Sequence, residues 1–256
     1  MMSATPPAFP ATDMLARLLT SALIAGAAAG LIAALMQLVF VQPVLLHAEL
    51  YEGGELTHFA AEGGHDHDHD HGAVTDAAPS GDHAVSPETG GIDPARDGLS
   101  ALFSILVYAG YALLLTGAIA LAENRGHRVT PREGLLWGLA GFIAVQLAPA
   151  FGLAPELPGM AAADITQREI WWLVTVLLSA GALWLIAFGR NWAAWGVAIV
   201  MAALPHLIGA PHPVELTGPT PPELAAQFAG RALGVGLVVW VLLGLFTASL
   251  WSRARA

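Results

Sequence analysis

The chain has 256 residues, 55% of them hydrophobic and only 12% charged, with a formal net charge of -10. Soluble domains carry about 25% charged residues, so half that amount, with the apolar residues in long blocks, describes a chain built for lipid. There is no cysteine and no lysine. Thiolate metal sites, disulfides, the phosphate-binding P-loop and lysine Schiff bases are therefore excluded. The acidic balance excludes nucleic acid as a partner, because phosphate binding needs a basic face.

A bilayer core of about 30 Å is crossed by about 20 mostly apolar helical residues. A cytoplasmic tail, 1–13, precedes the first span, 14–41, whose apolar core is Leu18–Val41. Further spans are expected at about Leu99–Ala122, Gly134–Phe151, Ile170–Gly189, Trp192–Ile208 and Ala232–Trp251. The fold class is thus an all-α, polytopic transmembrane bundle of about six spans, five of them in the 99–256 part. Only Arg190 and Asn191 part the fourth from the fifth, so a five-span count, merging or demoting one, stays open. The first span is longer than the roughly 7–15-residue core of a signal peptide. It exits through Phe40-Val41-Gln42-Pro43 with no small-residue cleavage site, which predicts that it is retained.

Arginine placement predicts the orientation, since cytoplasmic loops hold the excess of basic residues. With the N-terminus inside, Arg17, Arg125, Arg128, Arg132, Arg190, Arg253 and Arg255 lie inside, and Arg96, Arg168 and Arg231 lie outside. Both termini are then cytoplasmic. Gly26/Gly30, Gly134/Gly138 and Gly230/Gly234 form GxxxG spacings, which predict close helix packing within the bundle. Tryptophans near span ends, such as Trp171, Trp192 and Trp251, suit interfacial anchoring in membrane lipid.

The long outer loop, 42–98, is acidic and rich in Gly, Pro, Asp and His, a composition that predicts disorder for most of it. It contains alternating His65, His67, His69 and His71 separated by aspartates, with His58 and His83 on either side. Imidazole with carboxylate suits cobalt, nickel, zinc or copper(II) with little selectivity. Because the ligand is neutral imidazole, binding should weaken below about pH 6. A solvated loop that only confers solubility is the bland alternative.

Three further histidines fall at the same outer edge: His47 after the first span, and His206 and His212 at the end of the fifth. Pro205 removes a helical amide, and Gly209 and Pro211 end the helix. Such breaks are tolerated where they are buried or line a cavity. His206 and His212, with His47, Glu49 or Glu52 opposite, form a candidate divalent-metal site; ordinary interfacial histidines are the alternative. Within the spans there is no interior Asp, Glu or Arg, and Gln37 and Gln146 are the polar groups, each a candidate interhelical hydrogen bond. No proton relay is visible.

The segment Arg17-Leu-Leu-Thr-Ser-Ala-Leu-Ile-Ala-Gly26 through Gln37 to Pro43, followed by His47, Glu49, Tyr51 and Glu52, resembles CbtA, the predicted cobalt transporter subunit. So do Leu147–Gly159, Gln167-Arg-Glu-Ile-Trp-Trp172 and Leu204–Pro213. The resemblance implies a multi-pass protein of the bacterial inner membrane linked to cobalt supply for cobalamin synthesis. It also implies a small single-span, histidine-bearing partner of CbtB type. The family is generally described with five spans, whereas the arginine alternation here favours six.

Two functions follow as expectations. The first is inward transport of divalent cobalt, or nickel, captured at the outer face and driven by the inward-negative potential, worth about 2.3 kcal/mol per charge per 100 mV. The second is a non-transporting receptor or accessory protein that holds the metal for a partner. No prosthetic group is expected, and cobalt or nickel enters as cargo. HExxH, GxSxG and paired intramembrane acids are all missing, so no enzyme is expected.

Overall fold

A computed structural model describes residues 11–57, 94–215 and 217–255, and within it the side chains from Ala16 onward. His65, His67, His69 and His71 lie outside the described residues. The described chain is all helical. Helix α1 (Ala11–Met36) passes through a π-helical turn, π1 (Gln37–Val41), into α2 (Gln42–Glu52). Then come α3 (Pro94–Asn124), α4 (Glu133–Phe142), a second π-turn, π2 (Ile143–Leu147), and the short α5 (Ala148–Ala150). The remaining helices are α6 (Ile165–Phe188), α7 (Trp192–Ile208) and α8 (Pro222–Ala254).

Large apolar side chains are on the outside and small ones inside. Leu114 is 72% exposed and Ile199 67%, whereas Ala25, Ala29 and Ala33 are fully buried. Water would drive the opposite arrangement; lipid does not, and there helices associate through close backbone packing. Gly26 and Gly30 sit against the α3 backbone at Ala109 and Ile105, where a Cβ has no room. Gly134 and Gly138 meet Gly244 and Trp240 of α8 in the same way. The Gly230/Gly234 pair departs from expectation. Nothing lies within 4 Å of a Cβ built at either residue, because both stand on the exposed face of α8, opposite the face that carries Ala232 and Gly236.

Five helical runs are long and apolar enough to cross a membrane: 16–52, 94–124, 133–150, 165–188 and 222–254. The sixth, α7, has 17 residues, or about 26 Å at 1.5 Å per residue, slightly short of the hydrocarbon core. Among the described residues there are thus five helical runs of that length and one slightly shorter apolar helix, α7. Helix α7 is not merged with α6. Asn191 accepts the Ala194 amide at 2.8 Å and starts a new helix, just as Asp164 accepts the Gln167 amide at 3.0 Å to start α6. The helix ends at Ile208 because Gly209 takes a φ of +89°, which only glycine adopts readily.

The segment assigned to the outer loop is helical at both ends. Helix continues from π1 to Glu52, and α3 begins at Pro94. Pro43 and Pro149 explain the two π-turns. Each follows its π-turn by two residues, and a proline ring clashes with the carbonyl four residues earlier. The extra residue in a π-turn swings that carbonyl aside, so the helix bends without breaking.

Candidate functional site

The two π-turns face one cavity. It has a volume of about 390 Å³ and lies between the α1–π1–α2 run, α3, π2 and α8. Gln37 comes from π1 and Gln146 from π2; Gln42, Glu49, Arg96, Asp97, Ser100 and Tyr108 complete its polar lining. At its mouth, Gln42 Nε2 donates to Asp97 Oδ1 at 3.1 Å, and Arg96 Nε lies 3.7 Å from the same oxygen. The Asp97 side chain is only 12% exposed. Its second oxygen, Oδ2, is buried without a partner, as is Oε1 of Gln146.

Deeper in, Ser104 Oγ donates to Gln37 Oε1 at 3.4 Å, a long and weak bond. Gln146 lies over Gly236 of α8, where any Cβ would collide with its carboxamide. An aromatic group closes the floor. Tyr111 stacks at 4.7 Å on Trp240 and meets Tyr108 edge-on at 5.8 Å. Beyond it the packing is mostly apolar, with Ala22, Ala29, Phe142, Val239 and Leu243 buried together, although the Thr247 hydroxyl and the Trp251 indole nitrogen are buried there without partners. Leu115, Ile119 and Trp251 continue this packing toward the far end. At the cavity end, Arg231 Nη1 donates to the Phe40 carbonyl inside π1 at 3.1 Å, tying α8 to the first π-turn.

Of the candidate metal ligands named from the sequence and lying among the described residues, Glu49 alone lines this cavity, alongside the intramembrane polar groups Gln37 and Gln146. His47 is exposed on α2 beside Tyr51, with ring centroids 5.7 Å apart. The Glu52 side chain packs over Gly159. His206 is exposed and touches the rings of Phe151 and Trp171 edge-on, at 6.1 and 6.0 Å. The Trp171 indole donates to the Pro205 carbonyl at 3.2 Å. His212 is exposed, with Nδ1 3.3 Å from the Pro213 carbonyl. Among the described residues, no three His, Asp or Glu side chains come together as a metal-binding group. The expected pairing of His206 and His212 with His47, Glu49 or Glu52 is thus not assembled among them.

Sequence reasoning missed Asp97, Arg96, Gln42 and Arg231. The available signal was the position of Gln37 and Gln146 just before Pro43 and Pro149, at the points where two helices must bend.

Small residues packed inside, large apolar residues turned out and a polar cavity sunk into one half describe a multi-pass membrane protein. The sequence places it more narrowly. The chain belongs to the CbtA family, described as a probable cobalt transporter subunit, whose pattern matches residues 15–252. No curated protein and no solved structure shows a significant match to the chain. The family description makes cobalt the cargo and the chain one part of a larger transporter.

Proposed function

We propose that the protein is the membrane subunit of a cobalt uptake system in a bacterial inner membrane. Nickel is a second cargo, and the delivered metal feeds cobalamin synthesis. The observation that carries this reading is the half-cavity: polar beside Glu49, and giving way to mostly apolar packing beyond Tyr108 and Trp240. Such a shape fits one state of an alternating-access cycle, with access from one side only. The arginine distribution supports an outward-facing cavity. His65, His67, His69 and His71 gather the metal there, Glu49 meets it at the cavity, and His47, Glu52, His206 and His212 are separate outer-side ligands along its approach. A single-span, histidine-bearing subunit of CbtB type is the partner.

The apolar packing beneath the cavity favours a second reading, in which the protein holds cobalt or nickel for a partner and moves nothing itself. Cellular cobalt content separates the two. A host lacking cobalt uptake is given this chain, with and without the partner, beside a His206→Ala/His212→Ala variant. Transport predicts accumulation that the double variant abolishes. No accumulation in either background, with membrane insertion confirmed, leaves the receptor.

A further inference from the structure

The cavity's donor chemistry says in what form the ion is held. A divalent first-row cation stripped of water needs ligand atoms at about 2.0–2.2 Å, from several directions at once. The cavity offers nothing of that kind, for no three His, Asp or Glu side chains converge among the described residues. Its inner walls instead carry neutral carboxamides and a hydroxyl: Gln37, Gln146 and Ser100. Such groups serve hydrogen bonding better than tight coordination of a bare ion.

Size points the same way. Six waters at about 30 Å³ each take about 180 Å³, so a hexahydrated ion fits within about 390 Å³. Two acceptor oxygens, Asp97 Oδ2 and Gln146 Oε1, are buried there without partners. A buried unsatisfied acceptor calls for a donor, and the waters of a cation, with their hydrogens pointing outward, are strong donors. The lining carries two carboxylates, Glu49 and Asp97, against one guanidinium, Arg96; the second guanidinium at this end, Arg231, is not part of the lining and is turned to the Phe40 carbonyl. The lining itself thus presents more acceptor oxygen than positive charge, and its neutral inner walls do not trap a cation.

The geometry points to this cavity as a site for a hydrated divalent cation, held through its water shell by Gln37, Gln146 and Asp97. This inference rests on the transport reading for its biological meaning, but the binding itself does not require that the ion cross. It separates the cavity from the histidine tract, where imidazole must replace water in the ion's own shell.

The test uses hexaamminecobalt(III), whose six ammonia ligands do not exchange. It mimics a hydrated ion and cannot be ligated by imidazole. Its binding to the full chain in lipid nanodiscs is measured at 150 mM salt, where screening weakens diffuse attraction to the acidic loop. Its effect on cobalt uptake is measured in cells. Wild-type protein is expected to bind the complex in competition with divalent cobalt. Gln37→Leu and Gln146→Leu should each weaken that binding at least tenfold with helix content unchanged. Gly236→Ala, which displaces the Gln146 carboxamide and leaves both glutamines in place, should do the same and guards against a folding artefact. Glutamine-dependent binding without any cobalt uptake would support the site and defeat the transport reading. Cobalt uptake that hexaamminecobalt(III) does not inhibit and that survives both glutamine substitutions would overturn the site and leave transport standing.

Discussion

Gly236 of α8 lies directly against the carboxamide of Gln146 on the second π-turn, so closely that a single methyl group there would displace it. One helix thus sets the position of a polar group on another by having no side chain. Two residues earlier, Gly234 has open space around it. The pair forms a built-in control. Gly236→Ala is expected to lower cobalt uptake about tenfold, and Gly234→Ala to leave it within twofold of wild type. Whole-cell cobalt measured at matched membrane expression checks this; equal effects from the two would mean that the carboxamide's position is unimportant.

The glycine seams deeper in the bundle act on stability rather than on the cavity. Gly138 faces the Trp240 carbonyl with no space for a Cβ. Overpacking of this kind costs about 1–3 kcal/mol, so Gly138→Val should lower the unfolding midpoint of the detergent-purified protein. Gly230→Ala, in open space, should not lower it.

Arg231 reaches from α8 to the Phe40 carbonyl within the first π-turn. Because the contact is exposed, its loss should cost about 1 kcal/mol or less of stability. Its effect on cobalt uptake should be larger, because it fixes the wall that carries Gln37. Arg231→Gln is expected to reduce uptake several-fold with little change in melting; a loss of stability with uptake intact would assign it to scaffolding alone.

The histidine tract should behave as a concentrator. Replacing His65, His67, His69 and His71 by alanine is expected to raise the cobalt concentration for half-maximal uptake without lowering the maximal rate. Protons compete with metal for neutral imidazole, so tract binding is present near neutral pH and weakens as pH falls below about 6. Cobalt titrations of wild type and the alanine variant at pH 7.5 and pH 5 should differ at the first pH and converge at the second.

Much of the architecture was legible because lipid imposes a simple code. Length and hydropathy located the helices, and Asn191 marks the division of α6 from α7 that arginine alternation anticipated. Gly26/Gly30 and Gly134/Gly138 had the packing their spacing predicts. Gly230/Gly234 did not, since a GxxxG spacing states that close approach is possible and not which helix arrives. The cavity was the hardest feature to foresee. Its polar groups come from three separate stretches, Gln37 and Gln42 from the α1–π1–α2 run, Asp97 from α3 and Gln146 from the second π-turn, and only the fold brings them to one place. Histidine attracts attention as a metal ligand wherever it stands, yet His206 is flanked by the rings of Phe151 and Trp171.

Orientation is open to direct measurement because the chain has no cysteine. Thr57→Cys should react with a membrane-impermeant maleimide in intact spheroplasts, and Arg128→Cys only after permeabilisation. The reverse pattern would put the cavity on the cytoplasmic side and turn uptake into export.

Cobalt flux into proteoliposomes addresses transport most directly. The protein is reconstituted with and without its single-span partner, and an inside-negative potential is imposed. Transport predicts potential-dependent cobalt entry above protein-free vesicles, strongly reduced by Gln146→Leu. Cobalt bound at the vesicle surface, with no entry under any potential and with the partner present, would contradict it.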